Sequence, residues 1–442
     1  MTVSDGGIER HPVLLLQRLI RVDTSNPPGR EAECVDDVEA LLQAADVQTE
    51  RYENEPGRPN LVARLPGRGE APALLFYGHL DVVPAGDGWT YPPFEGRIAD
   101  GCVWGRGALD MKGGVAMMLA AFLRAARESP PPGDVMLALF ADEESGGTHG
   151  AKYVVDRHPE VFRGVRYAIG EFGGFPLRIR GRAFYPIQVA EKGPVTIELV
   201  VRGPAGHGAR PTRGGAMAKA GDVLRRLDGL RTPIHITDVT RRMVVALADH
   251  LSRADALFVR RLLHPASVDW LLARLGPTGR DLEPLFRNTV NATLIRGGDR
   301  PNVVPSEIHI GLDGRVLPGF SPDDLLAEIE PALRGDAEAR VVKGETARTG
   351  VDFGLFGLLA RLLESRESGA VAIPYILPGS SDGRHLARLG IQTYGYTPMN
   401  LPSDVPFFET IHAADERIPV AAVGFGTEIL HALIRVGAAG AT

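Results

Sequence analysis

The sequence predicts an α/β protein with a mostly parallel sheet, interrupted by an inserted α+β domain of ferredoxin-like pattern. Three observations point there. Apolar runs alternate with amphipathic helical stretches through residues 1–190, which is the signature of βαβ units. Between 191 and 345 the pattern changes to alternating strands in the order β-α-β-β-α-β, a split βαβ arrangement. From 346 to 442 the first pattern resumes, so the first domain is expected to be discontinuous, 1–190 with 346–442. At roughly 150 residues per domain, a chain of 442 residues has room for two or three.

Val13 to Ile20 reads as the opening helix, closed by the break Asn26-Pro27-Pro28-Gly29. Glu31 to Ala45 follows as a helix, with Val35, Val38, Leu41 and Leu42 at helical spacing. Leu61 to Leu65 and Ala73 to Tyr77 read as strands, the second a buried run ending at Gly78. Gly113 to Arg127 is a helix ended by Pro130-Pro131-Pro132-Gly133; Val135 to Phe140 and Tyr167 to Ile169 are further strands. In the inserted domain Pro194 to Arg202 alternates, with Val195, Ile197 and Leu199 inward. A helix from about Gly215 to Leu227, strands at Thr289 to Ile295 and Ile308 to Val316, a helix Pro322 to Leu333 and a strand Arg340 to Val342 complete it. A Leu- and Arg-rich helical insertion lies near 240–287. Leu355 to Leu363 is then a helix, Val371 to Ile373 a strand and Ala421 to Ile434 the last helix.

Composition bounds the function. Hydrophobic residues at 44% and charged ones at 24% are globular values, which exclude a disordered or collagen-like chain. The formal charge is −6, from 49 Lys+Arg against 55 Asp+Glu, and basic blocks are lacking. That argues against a nucleic-acid or membrane-surface partner. Two cysteines, Cys34 and Cys102, make no disulfide framework and suit a reducing compartment. No stretch is read as approaching the roughly 20 apolar residues that span a bilayer. Met1 to Pro12 is acidic-polar, and Val13 to Leu16 is too short for a secretory core. The expectation is a cytoplasmic protein.

The chemistry-bearing residues sit where strands end, which is where open α/β sheets place ligands. His79 and Asp81 follow the strand Ala73 to Tyr77. His79 suits a metal ligand, with Asp81 bonded to its other ring nitrogen; a turn histidine beside a capping Asp is the plain alternative. Asp110, in GRGALDMKGG, has two oxygens with which to bridge cations, or is simply the N-cap of the next helix. Glu143 and Glu144 follow Val135 to Phe140: one could bind metal while the other takes a proton from water, unless the loop is merely solvated. Glu171 stands just after Tyr167 to Ile169, and His412 precedes the last helix. Jointly, two imidazoles and several carboxylates without a thiolate suit two Zn²⁺ or similar divalent ions.

Five ordered motifs make the pattern specific: GHLDVVP (78–84), GRGALDMKGG (105–114), ADEESGG (141–147), GHGARP (206–211) and NVVP (302–305). With them the chain resembles the metallopeptidase and amidohydrolase family of carboxypeptidase G, aminoacylase, acetylornithine deacetylase and succinyl-diaminopimelate desuccinylase, over essentially its whole length. The resemblance implies a catalytic metal-binding domain and a lid and dimerisation domain. It implies that His79, Asp110 and Glu171 hold one metal and Asp110, Glu144 and His412 the other. The ions would be Zn²⁺, with Co²⁺ or Mn²⁺ as substitutes. Glu143 would be the general base and then acid, Asp81 would orient His79, and a cis peptide is expected at Asp110-Met111.

By the same resemblance His207, from a partner subunit, helps hold the oxyanion, so a homodimer is expected. Arg315 and Arg384 are candidates to grip a substrate carboxylate as a bidentate pair, with Asn291 and the Gly379-Ser380-Ser381-Asp382 turn beside them. The implied activity is hydrolysis of an N-acyl amino acid or short peptide with a free carboxylate. The alternative is a protein of the same fold that binds a ligand with metal but does not turn it over. Two departures are Glu171, where Asp is the other family choice, and the long insertion, read as packing or as a reshaped entrance.

Overall fold

A computed structural model describes residues 7–402, 405 and 407–440; the first six residues of the acidic-polar start lie outside the described ones. The chain divides into two compact units. One comprises Met1–Val189, Asp352–Tyr375 and Ser381–Thr442, the other Ala190–Val351 and Ile376–Ser380.

The first unit is built on a mixed sheet. Its strands lie in the order Gln48–Tyr52, Asn60–Leu65, Val135–Phe140, Ala73–His79, Val165–Gly170, Gln392–Gly395, Arg182–Glu191 and Val371–Leu377, with Leu177–Ile179 added beside Arg182–Glu191. Ala73–His79 runs parallel to both neighbours, and Gln392–Gly395 parallel to Val165–Gly170. Asn60–Leu65 is antiparallel to Gln48–Tyr52 and to Val135–Phe140, and Arg182–Glu191 is antiparallel to Leu177–Ile179 and Gln392–Gly395. The expected mostly parallel sheet is therefore corrected to a mixed one with a parallel centre. The reason is local. The link 53–59 is shorter than the dozen or so residues a parallel crossover needs. Gln48–Tyr52 is also polar and largely exposed, so it carries no apolar run to read.

Ala73–His79 and Val135–Phe140 are buried along their whole length, as continuous apolar runs require. Helix Lys112–Ala126 covers them and buries nearly every residue, Lys112 included; its Nζ donates to Leu19 O at 2.9 Å and Val22 O at 2.8 Å. The helix can start where it does because Gly113 has no side chain: a Cβ there would stand 2.2 Å from Ala108 O. Helix Val420–Val436 packs on the same helix. One expectation about apolar runs needs correcting. Val420–Ala439 is long and apolar enough to cross a membrane, with mean hydropathy 1.4. The interrupting Glu428, His431 and Arg435 hide this in the sequence. Ala422, Val423, Ile429, Leu430 and Leu433 are buried, as in a core helix.

The second unit carries an antiparallel sheet in the order Thr289–Arg296, Glu307–Val316, Gly193–Arg202, Glu338–Gly344. In chain order that is second, third, first, fourth, the split βαβ arrangement. Val195, Ile197, Leu199 and Val201 meet Ile308, Ile310 and Leu312, with Val223 of helix Ala216–Asp228 and Leu325 and Ile329 of helix Pro322–Leu333. Ser321 and Asp324 close a capping box at the start of the latter helix. The insertion forms helices Asp238–Asp249, Arg253–Arg260, Pro265–Arg274 and Pro277–Leu282. Thr289–Arg296 is an edge strand whose Leu294 and Ile295 are 58% and 57% exposed.

Candidate metal centre

Five segments of the first unit bring the sequence-derived residues together. His79 is the last residue of its buried strand, Glu143 and Glu144 lie in the turn after Val135–Phe140, and Glu171 follows Val165–Gly170. Asp110 stands before helix Lys112–Ala126, and its peptide to Met111 is cis, as the resemblance implies. His412 arrives from a turn in which its own φ is 62°.

His79 Nε2 lies 3.2 Å from Asp110 Oδ1 and 3.4 Å from Glu171 Oε2. His412 Nε2 lies 3.2 Å from Asp110 Oδ2 and 3.3 Å from Glu144 Oε2. Asp110 thus turns one oxygen to each histidine. The ligand atoms of His79, Glu143 and Glu171 also lie within 4.8 Å of one another, as do those of His79, Asp110 and Glu144.

The donor set fits divalent cations. Charge-assisted N–H···O bonds close to about 2.7–2.9 Å, and these contacts are longer. At 3.2–3.4 Å they lie close to the ~3.3–3.4 Å edge of a tetrahedron with the ~2.0–2.1 Å bonds of zinc to N and O. His79 Nδ1 donates to Asp81 O at 2.9 Å, which frees Nε2 as a lone pair for a metal. Glu144 Oε1 is buried without a hydrogen-bond partner among the described residues.

Without cations the cluster is electrostatically tense. Burial opposes charge on His79, yet hydrogen bonds to Asp110 and Glu171 hold its pKa well above the ordinary value. Hydrogen bonds to Asp110 and Glu144 lift His412 to about 10. Asp110 is pulled down despite its burial, because both imidazoles bond to it. Burial, then the charge of Glu171, pushes Glu143 well above the carboxylate range; burial also raises Glu171.

The frame around the ligands is only partly the expected one. The bond to His79 comes from the main-chain oxygen of Asp81, while its carboxylate stands 3.7 Å from Nδ1. That carboxylate accepts from the main-chain N–H groups of Glu143 and Glu144, each at 3.1 Å, and from Asn26 Nδ2 at 2.9 Å. Asn26 also donates to Asp142 Oδ1 at 3.2 Å, which Arg58 holds at 2.9 Å while pairing with Glu31 at 2.6 Å. Arg106 pairs with the buried Glu416 at 2.6 Å. The side-chain polar atoms of Asp382 and His385 are buried without hydrogen-bond partners among the described residues; burial lifts Asp382 to about 8 and lowers His385 to about 3. Sequence reasoning missed Asn26, Glu31, Arg58, Arg106, Asp142 and Glu416 as members of this frame. A buried charge partner is invisible until the fold pairs it, and only the placing of Arg106 and Asp142 inside motifs hinted at one.

Arg384, also in the first unit, donates to Ser381 O at 2.9 Å and Gly146 O at 3.0 Å, so two of its N–H groups already serve main-chain oxygens. The remaining candidates lie in the second unit. His207 is exposed on a two-residue strand paired with Val303–Val304, and its Nδ1 accepts from Ala209 N–H at 3.1 Å. Its proton therefore sits on Nε2. Arg315 bonds Asp313 through Nε at 3.1 Å and Nη2 at 3.3 Å, and reaches Ser380 Oγ at 3.3 Å, next to Gly379. Asn291 is exposed on the edge strand opposite Asp313, and lines a cavity of about 400 Å³ with Leu224, Leu227 and Leu312.

The model of the family described as Peptidase family M20/M25/M40 matches residues 75–436. A succinyl-diaminopimelate desuccinylase of Cereibacter sphaeroides is 28% identical over 416 residues, covering 93% of this chain and 95% of that one. A probable carboxypeptidase S-like 2 of Dictyostelium discoideum is 28% identical over 385 residues, 78% of this chain and 68% of that one. The chain spans about half the length, 52%, of several other desuccinylases that it matches. Among solved structures, an M20 family metallo-carboxypeptidase from Sulfolobus solfataricus superposes with a TM-score of 0.69 at 18% identity, over 96% of this chain and 98% of that one, a likeness of fold.

Proposed function

The chain belongs to peptidase family M20/M25/M40 and is a hydrolytic enzyme; from that premise we propose that it is a dinuclear zinc hydrolase cleaving the amide of an N-acyl amino acid or short peptide with a free carboxylate. The observation that carries the reading is Asp110, with one oxygen 3.2 Å from each of two histidines. His79, Asp110 and Glu171 would hold one ion and Asp110, Glu144 and His412 the other, with Co²⁺ or Mn²⁺ as possible substitutes for Zn²⁺. Such ions supply Lewis acidity towards the scissile carbonyl and an attacking water.

The chain's own groups do the rest. Glu143, lifted by burial, accepts a proton as the water oxygen bonds to the carbonyl carbon. It passes that proton to the nitrogen as the C–N bond breaks, leaving a carboxylate and an amine. His207, reaching from a second copy, donates Nε2–H to the developing oxyanion. Arg315 exchanges Asp313 for the substrate carboxylate, a bidentate match, with Asn291 and the main chain at Gly379 beside it. The exposed edge strand Thr289–Arg296 supports a homodimer, since an unpaired apolar edge invites a second strand. Cys34 and Cys102, not joined in a disulfide, agree with a reducing, cytoplasmic setting. The non-catalytic reading is not favoured, because the chain belongs to a family of hydrolases and its sequence lacks none of the candidate residues.

The test is metal analysis joined to a panel of acyl amino acids and dipeptides. Two bound ions per chain and metal-dependent turnover, abolished by Glu143→Ala with both ions retained, are expected. Turnover that survives Glu143→Ala, or a protein that binds no divalent ion, would refute the assignment.

A further inference from the structure

Glu416 is fully buried, and donors from one short loop surround its carboxylate. Oε1 accepts from the main-chain N–H of Leu109 at 2.7 Å and of Asp110 at 3.1 Å. Oε2 accepts from Gly107 N–H at 3.1 Å and from Arg106 Nη1 at 2.6 Å. The main-chain oxygen of Glu416 takes Gly105 N–H at 2.9 Å as well. Loop 105–110 is therefore wrapped around a residue 306 positions beyond Asp110.

Two features give this clamp a consequence for the centre. One of its bonds is to the N–H of Asp110 itself, so it fixes the backbone from which the bridging carboxylate projects. The clamping residue also stands on the segment that carries His412, and that segment continues into Arg417–Pro419, which pairs with Cys102–Trp104 just before the loop. One carboxylate thus sets the spacing between Asp110 and His412. His79 and Glu171, by contrast, are placed by two adjacent parallel strands of the sheet.

We propose that Glu416 is a positioning residue for the cation position formed by Asp110, Glu144 and His412, and that it governs occupancy there while leaving the His79 position largely untouched. The inference rests on reading the cluster as a cation pair. Four donors on one carboxylate need both oxygens as acceptors, which an amide lacks.

The experiment is a Zn²⁺ titration of metal-stripped wild type and Glu416→Gln against a chelating indicator, with steady-state kinetics in parallel. Expected is a loss of at least tenfold in affinity at one position, with the other within threefold, and a kcat at least tenfold lower at a KM within threefold. Two affinities within threefold of wild type overturn the proposal. Equal weakening of both overturns it too, since that marks general loosening. Should Glu416→Gln not fold, Arg106→Lys removes one fork of the clamp, and selective loss of threefold or more at one position is expected; unchanged affinities overturn the proposal. Asp415→Ala is the control: it frees Thr90 from the same segment without touching the loop, and selective loss there as large as in Glu416→Gln also overturns it. A wild type that takes up no Zn²⁺ fails the parent reading instead, and the same titration reads it.

Discussion

Replacing Asp81 by Asn separates the frame of the centre from its ligands. The buried Asp81 carboxylate accepts from Glu143 N–H and Glu144 N–H, each at 3.1 Å, and from Asn26 Nδ2 at 2.9 Å. An amide offers one acceptor oxygen and one NH₂. Whichever way it turns, the NH₂ meets a main-chain N–H, leaving a buried donor unpaired at about 1–3 kcal/mol. The surviving bond loses its charge assistance, about 1 kcal/mol more. Asn26 cannot repair the turn by flipping, because its Nδ2 also serves Asp142. The expected loss of stability is therefore about 2–4 kcal/mol, read by urea unfolding of the metal-free protein. The same turn carries Glu143 and Glu144, so kcat should fall by roughly 10²–10³ with KM little changed, the scale of a small misplacement. Asn26→Ala leaves both main-chain donors on the carboxylate, and should cost about 1 kcal/mol or less and under tenfold in kcat. If Asp81→Asn keeps kcat within threefold, or if Asn26→Ala equals it, the carboxylate does not hold the turn.

Four other outcomes are expected. His385 is buried, and burial lowers its pKa to about 3 from the ordinary 6.5 of an imidazole; its stabilising contribution is complete above pH 6.5 and is lost as the pH falls towards 3. At pH 5 that loss is about 2 kcal/mol, so His385→Leu should flatten the acid limb of the urea midpoint against pH, and an unchanged limb rejects this. Chelation should abolish turnover, and Zn²⁺, Co²⁺ or Mn²⁺ should restore it. Because the stripped His412 is lifted to about 10, cation binding at pH 7 should displace its proton and tighten as pH rises; titrations in buffers of different ionisation enthalpy that detect no proton release would count against it. Leu294→Lys with Ile295→Lys should convert a dimer to monomers in sedimentation and depress kcat, since His207 then has no second copy to serve; a wild type that sediments as a monomer removes the premise.

Four of the candidate site residues were legible because they stand at or just after strand ends. His79, Glu143, Glu144 and Glu171 each follow an apolar run, and a period-2 or continuous run can be read without a structure. Asp110 and His412 stand at no strand end: the sequence offers Asp110 by its place in the loop GRGALDMKGG and His412 by its place before the last helix, and only the resemblance pairs them. Of the strands that escaped notice, Gln48–Tyr52, Arg97–Ala99 and Arg417–Pro419 are short or polar, Gln392–Gly395 has only four residues, and the longer Arg182–Glu191 is interrupted by Pro186, which weakens its reading as a strand. The role of Asp81 was misplaced for a similar reason. Two residues from a histidine, its carboxylate looked destined for the ring, whereas the fold turns it towards a loop some 60 positions on, with separations of 62 and 63.

That division between ligands and holders has an electrostatic cause. Asp110, Glu143, Glu144 and Glu171 crowd around two imidazoles, and burial raises Glu143 and Glu171 while each carboxylate acts on the others. Such a cluster opposes folding on its own and becomes favourable once divalent charge enters it. A centre of this kind needs supports that do not depend on the cations, or it would scatter whenever they leave. Asp81 and Glu416 suit that need because most of their donors are main-chain N–H groups, which carry no titratable charge and which only a proline would remove. Their donors come from the loops that bear Glu143, Glu144 and Asp110. The acids that hold the centre are therefore distinguished from the acids that bind in it by their partners alone, a difference that residue type cannot encode and only the folded chain makes visible.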